Sequence, residues 1–192
     1  MAILEGGSPQ LCMQRDDLEH LPEIELPPGY SLRTSQPGDG VHWAAIMNEA
    51  FRGDRTEESF VHAMVEHPAY RPDRIFFACD PAGLPCATAS AYRHQRWGPE
   101  VGYVHFVATR PSQAGQRLGY AVSLAVLHKF REEGCRAAVL ETDDFRLGGI
   151  KTYLRLGFHP LLVHESQPER WRRIFAVLGI KGQTHIYLDS AS

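Results

Sequence analysis

The chain has 192 residues, a net charge of −3 with histidines neutral, 43% hydrophobic residues and 22% charged ones. That balance fits a soluble globular domain with a sizeable core, and it argues against both a disordered chain and a general nucleic-acid binder, which needs a basic surface to displace phosphate counterions. The longest uncharged apolar runs, Gly83–Tyr92 and Leu118–Leu127, are about half of the ~20 residues that a membrane helix requires, so no membrane partner is expected.

The first residues, MAILEGGSPQ, place Glu5 early and put no basic stretch before an apolar one, so they do not read as a secretory signal. Residues 1–28 are acidic, without helical or strand periodicity, and punctuated by Pro22, Pro27 and Pro28; they are expected to form an N-terminal extension draped on the domain or partly disordered. Cys12, Cys79, Cys86 and Cys135 form no CxxC pair, which suggests free thiols in a reducing cytoplasm rather than a disulfide framework or a zinc site.

Regular pattern begins at Tyr30. A strand over Tyr30–Thr34 closes in the turn Gln36-Pro37-Gly38-Asp39. Trp43, Ile46, Met47, Ala50 and Phe51 then recur at helical spacing, which predicts a helix over 40–51. A second helix is predicted over 57–67, with Phe60, Val61, Met64 and Val65 on one stripe and Thr56 and Ser59 as caps. Three strands follow, Arg74–Cys79, Pro85–Arg93 and Val101–Thr109, joined by Asp80-Pro81-Ala82-Gly83 and Trp97-Gly98-Pro99. Next come a long helix over 115–133, a strand Ala137–Thr142, a helix over 146–156 stopped by Gly157, a strand Phe158–His164 and a helix over 168–178 begun by Pro168. The tail Thr184–Leu188 offers one more strand. Consecutive strands imply antiparallel pairing in the first half, and the strand–helix–strand over 101–142 implies a crossover to a parallel neighbour. The expected fold class is therefore α+β with a mixed sheet, spanning residues 29–180 with a C-terminal tail at 181–192.

The chemistry is concentrated in Val107-Ala-Thr-Arg-Pro-Ser-Gln-Ala-Gly-Gln-Arg-Leu-Gly-Tyr-Ala121. A strand ends, a turn rich in glycine and small polar residues follows, and a helix begins. Unpaired N–H groups and a positive partial charge at a helix start suit a pyrophosphate, and Gly115 and Gly119 admit close approach; the alternative is a tight connection that binds nothing. No Lys-Ser or Lys-Thr follows the glycines and no GxGxxG is present, so neither a P-loop nor a Rossmann site is spelled.

This block, together with Leu140-Glu-Thr-Asp-Asp-Phe-Arg-Leu-Gly-Gly-Ile-Lys-Thr-Tyr-Leu-Arg-Leu-Gly-Phe158, resembles the GCN5-related N-acetyltransferase (GNAT) superfamily, and the second segment resembles its mycothiol synthase-like branch. The resemblance implies a mostly antiparallel, twisted GNAT-type sheet with a splayed central parallel pair, here 101–109 and 137–142, and flanking helices. It implies acetyl-CoA as co-substrate, with the pantetheine arm along the main chain of Val107, Ala108 and Thr109 and the pyrophosphate on Gly115, Gln116, Arg117, Leu118, Gly119 and Tyr120. The family's Gln/Arg-x-x-Gly-x-Gly/Ala falls on Ala114, Arg117 and Gly119, so a basic or amide residue and the middle glycine are replaced. Arg117 still offers its N–H if its φ stays negative. The Asn and Ala frequent before the family tyrosine are Arg146 and Gly149.

Tyr153 stands where relatives use a tyrosine as general acid toward the leaving thiolate; the other reading is a phenol bonded to a carbonyl. For the base, His105 is placed on the cofactor-side strand, and simple alternation puts Tyr103 and Val107 on its side; a packed structural histidine is the competing reading, and Glu100, Glu141 and Asp143 are the other candidates. His62, Glu66 and His67 spell neither HExxH nor HxxEH, so no metal is expected. Arg170, Arg172 and Arg173 around Trp171 read as an amphipathic surface helix, and Trp97 as a turn residue or a border of the acceptor pocket. The expected activity is direct acetyl transfer to a primary amine of a small molecule or peptide, by a cytoplasmic enzyme for which a homodimer is one option. The alternative is an idle acyl-CoA-binding module that regulates a partner.

Overall fold

Small residues dominate the strand Pro85–Tyr92, and every one of its eight residues is buried. Such a strand accepts close packing on both faces, and in the computed structural model, which describes residues 9–180, it is the centre of the larger of two units, Asp17–Ala138. Strands β2 (Ser31–Thr34), β3 (Ile75–Cys79), β4 (Pro85–Tyr92) and β5 (Val101–Thr109) form an antiparallel meander there. Helix α1 (Gly40–Phe51) packs on one face of β4 and β5, and α3 (Leu118–Glu132) packs on β3, β4 and β5. Phe130 of α3 lies against Gly102, where an added Cβ would stand 2.3 Å from the ring, so this face of β5 accepts α3 only because residue 102 has no side chain.

Helix α2 (Glu57–Phe60) is capped reciprocally by Thr56 and Ser59, as the sequence predicts. Its continuation over Val61–Val65 widens into a π-helical turn, with Glu66 N–H donating to Val61 O at 3.0 Å. The hydroxyl of Tyr92 donates to Ala63 O at 2.9 Å, supplying a partner for a carbonyl of that widened turn. An ion-pair network lies beside this turn: Glu133 is bound by Arg74 and by Arg93 at 2.8 Å, and Lys129 by Asp73 at 2.8 Å. Two basic partners hold the Asp73 carboxyl down to about 2.

Among the described residues, the smaller unit combines 9–16 with 139–180. It contains β1 (Leu11–Arg15), β7 (His159–Leu161) and all but the first two residues of β6 (Ala137–Thr142), with β1 pairing antiparallel to β7. Helix α4 (Leu147–Arg155) ends before Gly157, and α5 (Gln167–Leu178) buries Trp171, Ile174 and Phe175.

β1 is a departure from the sequence reading, which placed no element before Tyr30. Leu11, Cys12 and Met13 are all completely buried. A short strand covered on both faces has no polar alternation to reveal it. Residues 17–28 do run without regular structure along α3, with His128 Nε2 2.9 Å from Pro22 O and Leu18 buried. The expected strand at 184–188 lies outside the described residues, as does the rest of the tail at 181–192. All four cysteines are buried and free.

Candidate active site

Helix α3 begins at Leu118, three residues later than its periodicity suggests, because the chain first makes a turn with Gly115 at φ +86° and Arg117 at φ +58°. The condition attached to Arg117, a negative φ, is therefore not met. The position takes the left-handed backbone that a glycine there adopts freely, and arginine pays roughly 1 kcal/mol or more for it. Its guanidinium lies 5.3 Å from the Tyr120 ring. The turn is fastened from outside: Arg110 N–H donates to Cys86 O at 2.9 Å, Arg110 pairs with Glu49 at 2.8 Å, and the Tyr30 hydroxyl donates to Gln113 at 2.6 Å. Gln116 N–H is directed back to Gln113 O at 3.4 Å.

What remains is an open cradle. The first helical bond runs from Ala121 N–H to Arg117 O, and no side chain caps the helix, which leaves the N–H groups of Leu118, Gly119 and Tyr120 without an intrahelical acceptor. Nothing lies within 4 Å of a Cβ built on Gly115, and only Thr109 Oγ1, at 3.4 Å, meets one built on Gly119. These residues fit a phosphate group, since they offer converging donors, a helix dipole and no side chain in the approach.

Strand β5 is interrupted where the pantetheine arm is expected. Thr88 pairs with Ala108 and Ser90 with His105, so three steps on β5 match two on β4, and Phe106 takes φ +49°. This bulge overturns the alternation assumed from sequence. Tyr103, His105 and Ala108 share the face of Tyr92, Ser90 and Thr88, whereas Val107 and Thr109 belong to the face turned to α3. Phe106 also turns to the first face, where its ring sits 3.9 Å from that of His105 and 5.2 Å from that of Trp43.

His105 therefore stands in a continuous arc of rings. Tyr92 and Tyr103 lie 5.2 and 5.1 Å away, and they in turn contact His67 at 4.5 Å and His94 at 5.7 Å. His67 Nδ1 accepts Ala69 N–H at 3.1 Å and His94 Nδ1 accepts Arg96 N–H at 3.2 Å. Burial, reinforced by His67 and His94, pushes His105 down to about 4. It is neutral at ordinary pH, so the titration expected in the usual imidazole range moves down.

Tyr153 is buried in the smaller unit, its ring over Gly149 and 6.1 Å from Phe158. Its hydroxyl makes no hydrogen bond to a described residue. Burial raises its pKa to about 12, so the phenol keeps its proton.

The other candidates are otherwise engaged. Asp143 is buried and accepts from Gln10 at 2.9 Å and Arg146 at 2.8 Å; Glu100 is exposed and 3.9 Å from Arg136. Glu141 is half-buried on β6. His62 pairs with Glu66 at 3.0 Å on the surface while His67 turns to Tyr92. Arg170 binds Asp144 and the Pro9 carbonyl, Arg172 and Arg173 pair with Glu169, and Trp171 is fully buried. Trp97 is covered by Arg96, 4.5 Å from its ring. His67, His94 and Tyr92 are the members that sequence reasoning missed. Only the register of β4 and β5 brings them to His105.

A model of the acetyltransferase (GNAT) family matches residues 41–158. The mycothiol acetyltransferase of Nocardia farcinica is 32% identical over 152 residues, covering 73% of this chain and 48% of that protein. The mycothiol acetyltransferase of Pseudarthrobacter chlorophenolicus is 32% identical over 145 residues, covering 72% and 45%. The chain thus spans about half the length of the curated relatives it matches. Among solved structures, a GCN5-related N-acetyltransferase from Sphaerobacter thermophilus superposes with a TM-score of 0.64 at 22% identity, over 80% of this chain and 50% of that one. The ribosomal-protein-S18-alanine N-acetyltransferase of Escherichia coli gives 0.57 at 18%, over 69% and 79%. The fold is the α+β class expected from the sequence.

Proposed function

Because the chain belongs to the acetyltransferase (GNAT) family, we propose that it transfers the acetyl group of acetyl-CoA directly to a primary amine. The observation that carries this reading is the start of α3, where the N–H groups of Leu118, Gly119 and Tyr120 have no intrahelical acceptor and Gly115 and Gly119 leave the approach open. These donors would hold the pyrophosphate, and the main chain of Val107, Ala108 and Thr109 would hold the pantetheine arm.

His105, neutral and without a hydrogen-bond partner among the described residues, takes the proton from the acceptor ammonium as its nitrogen attacks the thioester carbonyl. Tyr153 returns a proton to the departing thiolate. No acyl-enzyme is required: burial pushes the Cys86 thiol up to about 11 and raises Cys79 as well, which makes both poor nucleophiles. The relatives' names make the acceptor of mycothiol acetyltransferases one amine to test, alongside small-molecule and peptide amines.

Thiol release from acetyl-CoA is measured across a panel containing the acceptor of mycothiol acetyltransferases, glucosamine, cysteine, spermidine and a peptide with a free N-terminus, beside calorimetric binding of CoA. Binding with amine-dependent thiol release is expected. Binding without turnover on any amine would favour the idle module, and absence of CoA binding would overturn both.

A further inference from the structure

β4 alternates two kinds of residue. Ala87, Ala89 and Ala91 face α3, whereas Thr88 and Ser90 share the other face with Tyr92. Both hydroxyls are fully buried, and neither Thr88 Oγ1 nor Ser90 Oγ has a hydrogen-bond partner among the described residues. The indole Nε1 of Trp43, which packs on Phe106 from α1, is buried and unpartnered as well. Three orphaned polar atoms on one face are unusual, because buried hydroxyls normally find partners or give way to alanine. Ser90 is also the direct cross-strand partner of His105, which puts the two Cβ atoms on the order of 5 Å apart. A water held between groups of this kind needs two to four polar partners.

We propose that Ser90, with Thr88 and the Trp43 indole N–H, holds ordered water against His105, and that this water is the outlet for the proton His105 takes from the acceptor ammonium. This rests on the reading of His105 as the base. The balance is simple: the ammonium N–H bond breaks, imidazolium forms, and imidazolium then gives a proton to the water, which passes it to bulk solvent. A base titrating near 4 cannot retain that proton at neutral pH, so its function depends on an immediate acceptor. The titratable groups facing His105 are Tyr92 on β4, Tyr103 on β5, His94 after β4 and His67 after the π-helical turn. Ser90 is thus a positioning residue that acts through His105.

The test compares Ser90→Ala and His105→Gln with the unaltered protein, using acetyl-CoA and the best amine of the panel. Loss of one hydrogen bond to water should lower the melting temperature of Ser90→Ala only slightly, while kcat falls by roughly 10-fold with the acetyl-CoA KM unchanged. A second readout is independent of turnover: the ¹⁵N shifts of the His105 imidazole should change in Ser90→Ala, as its bridged nitrogen loses its partner, and change by less in Thr88→Val. Unaltered kcat and unaltered His105 shifts in Ser90→Ala would overturn the water outlet and leave the base in place. Full activity in folded His105→Gln would instead overturn the base itself.

Discussion

The turn before α3 and the ring-lined face of β4 and β5 lie in the same unit and are made of opposite materials. The turn offers main-chain N–H groups, is exposed over residues 114–117, and keeps its donors although a glycine position of the family carries Arg117. The face is made of side chains, Tyr92, Tyr103, His105 and Phe106, and their direction depends on a bulge at Phe106. Backbone donors survive side-chain replacement because their direction is set by φ and ψ. A side-chain cluster does not, because each ring is aimed by the one beside it. The proposed cofactor cradle should therefore tolerate substitution where the proposed chemical groups should not.

The largest contrast is between Tyr153 and Arg117. Tyr153→Phe removes one oxygen, the proposed proton donor, and should lower kcat by about 100-fold with little change in the acetyl-CoA KM. Arg117→Ala removes a whole side chain from the cradle, yet CoA affinity measured by calorimetry should change by less than about 3-fold. If the order were reversed, with Tyr153→Phe near full activity and Arg117→Ala unable to bind, the contrast would be false.

Gly102→Ala sharpens it on the α3 side of β5. A Cβ at 2.3 to 2.5 Å from three atoms of the Phe130 ring has to displace a fully buried side chain, and the expected loss is about 1–3 kcal/mol in urea unfolding. Tyr92→Phe probes the opposite face. It keeps the ring against His105 but removes the hydroxyl bond to Ala63 O, so it should cost about 1 kcal/mol and raise the acceptor KM more than the acetyl-CoA KM. The smallest effect is that of Arg117→Gly. Relief of the left-handed strain is partly offset by the freedom that glycine adds to the unfolded chain, so a gain of no more than about 1 kcal/mol is expected. A clear destabilisation would mean that the guanidinium over Tyr120 matters more than the backbone.

The same contrast explains what was legible in the sequence. Helices and strands from Ser31 to Leu178 follow from periodicity, caps and glycine stops, and the turn before α3 was readable because a helix start with glycines is a local pattern. The wide turn at 61–65 was not, because its apolar stripe has ordinary helical spacing. β1 was missed because Leu11, Cys12 and Met13 are buried on both faces and show no alternation. Simple alternation places Val107 beside His105, and one extra residue in β5 exchanges it for Ala108. No residue type in Val101–Thr109 announces that bulge: Phe106 takes a positive φ without being Gly, Asn or Asp. His67 and His94 lie 38 and 11 residues before His105, and only strand pairing unites them.

The central claim, that the main chain at the start of α3 is the cofactor cradle, is tested most directly by following backbone amides of ¹⁵N-labelled protein during a CoA titration, in the unaltered chain and in Gly119→Glu. The account predicts that Leu118, Gly119 and Tyr120 shift most and saturate together with calorimetric binding, and that folded Gly119→Glu, with a carboxylate among the donors, loses at least about 100-fold in affinity. CoA binding of undiminished affinity in folded Gly119→Glu, with the amides of 118–120 unmoved in the unaltered chain, would contradict it.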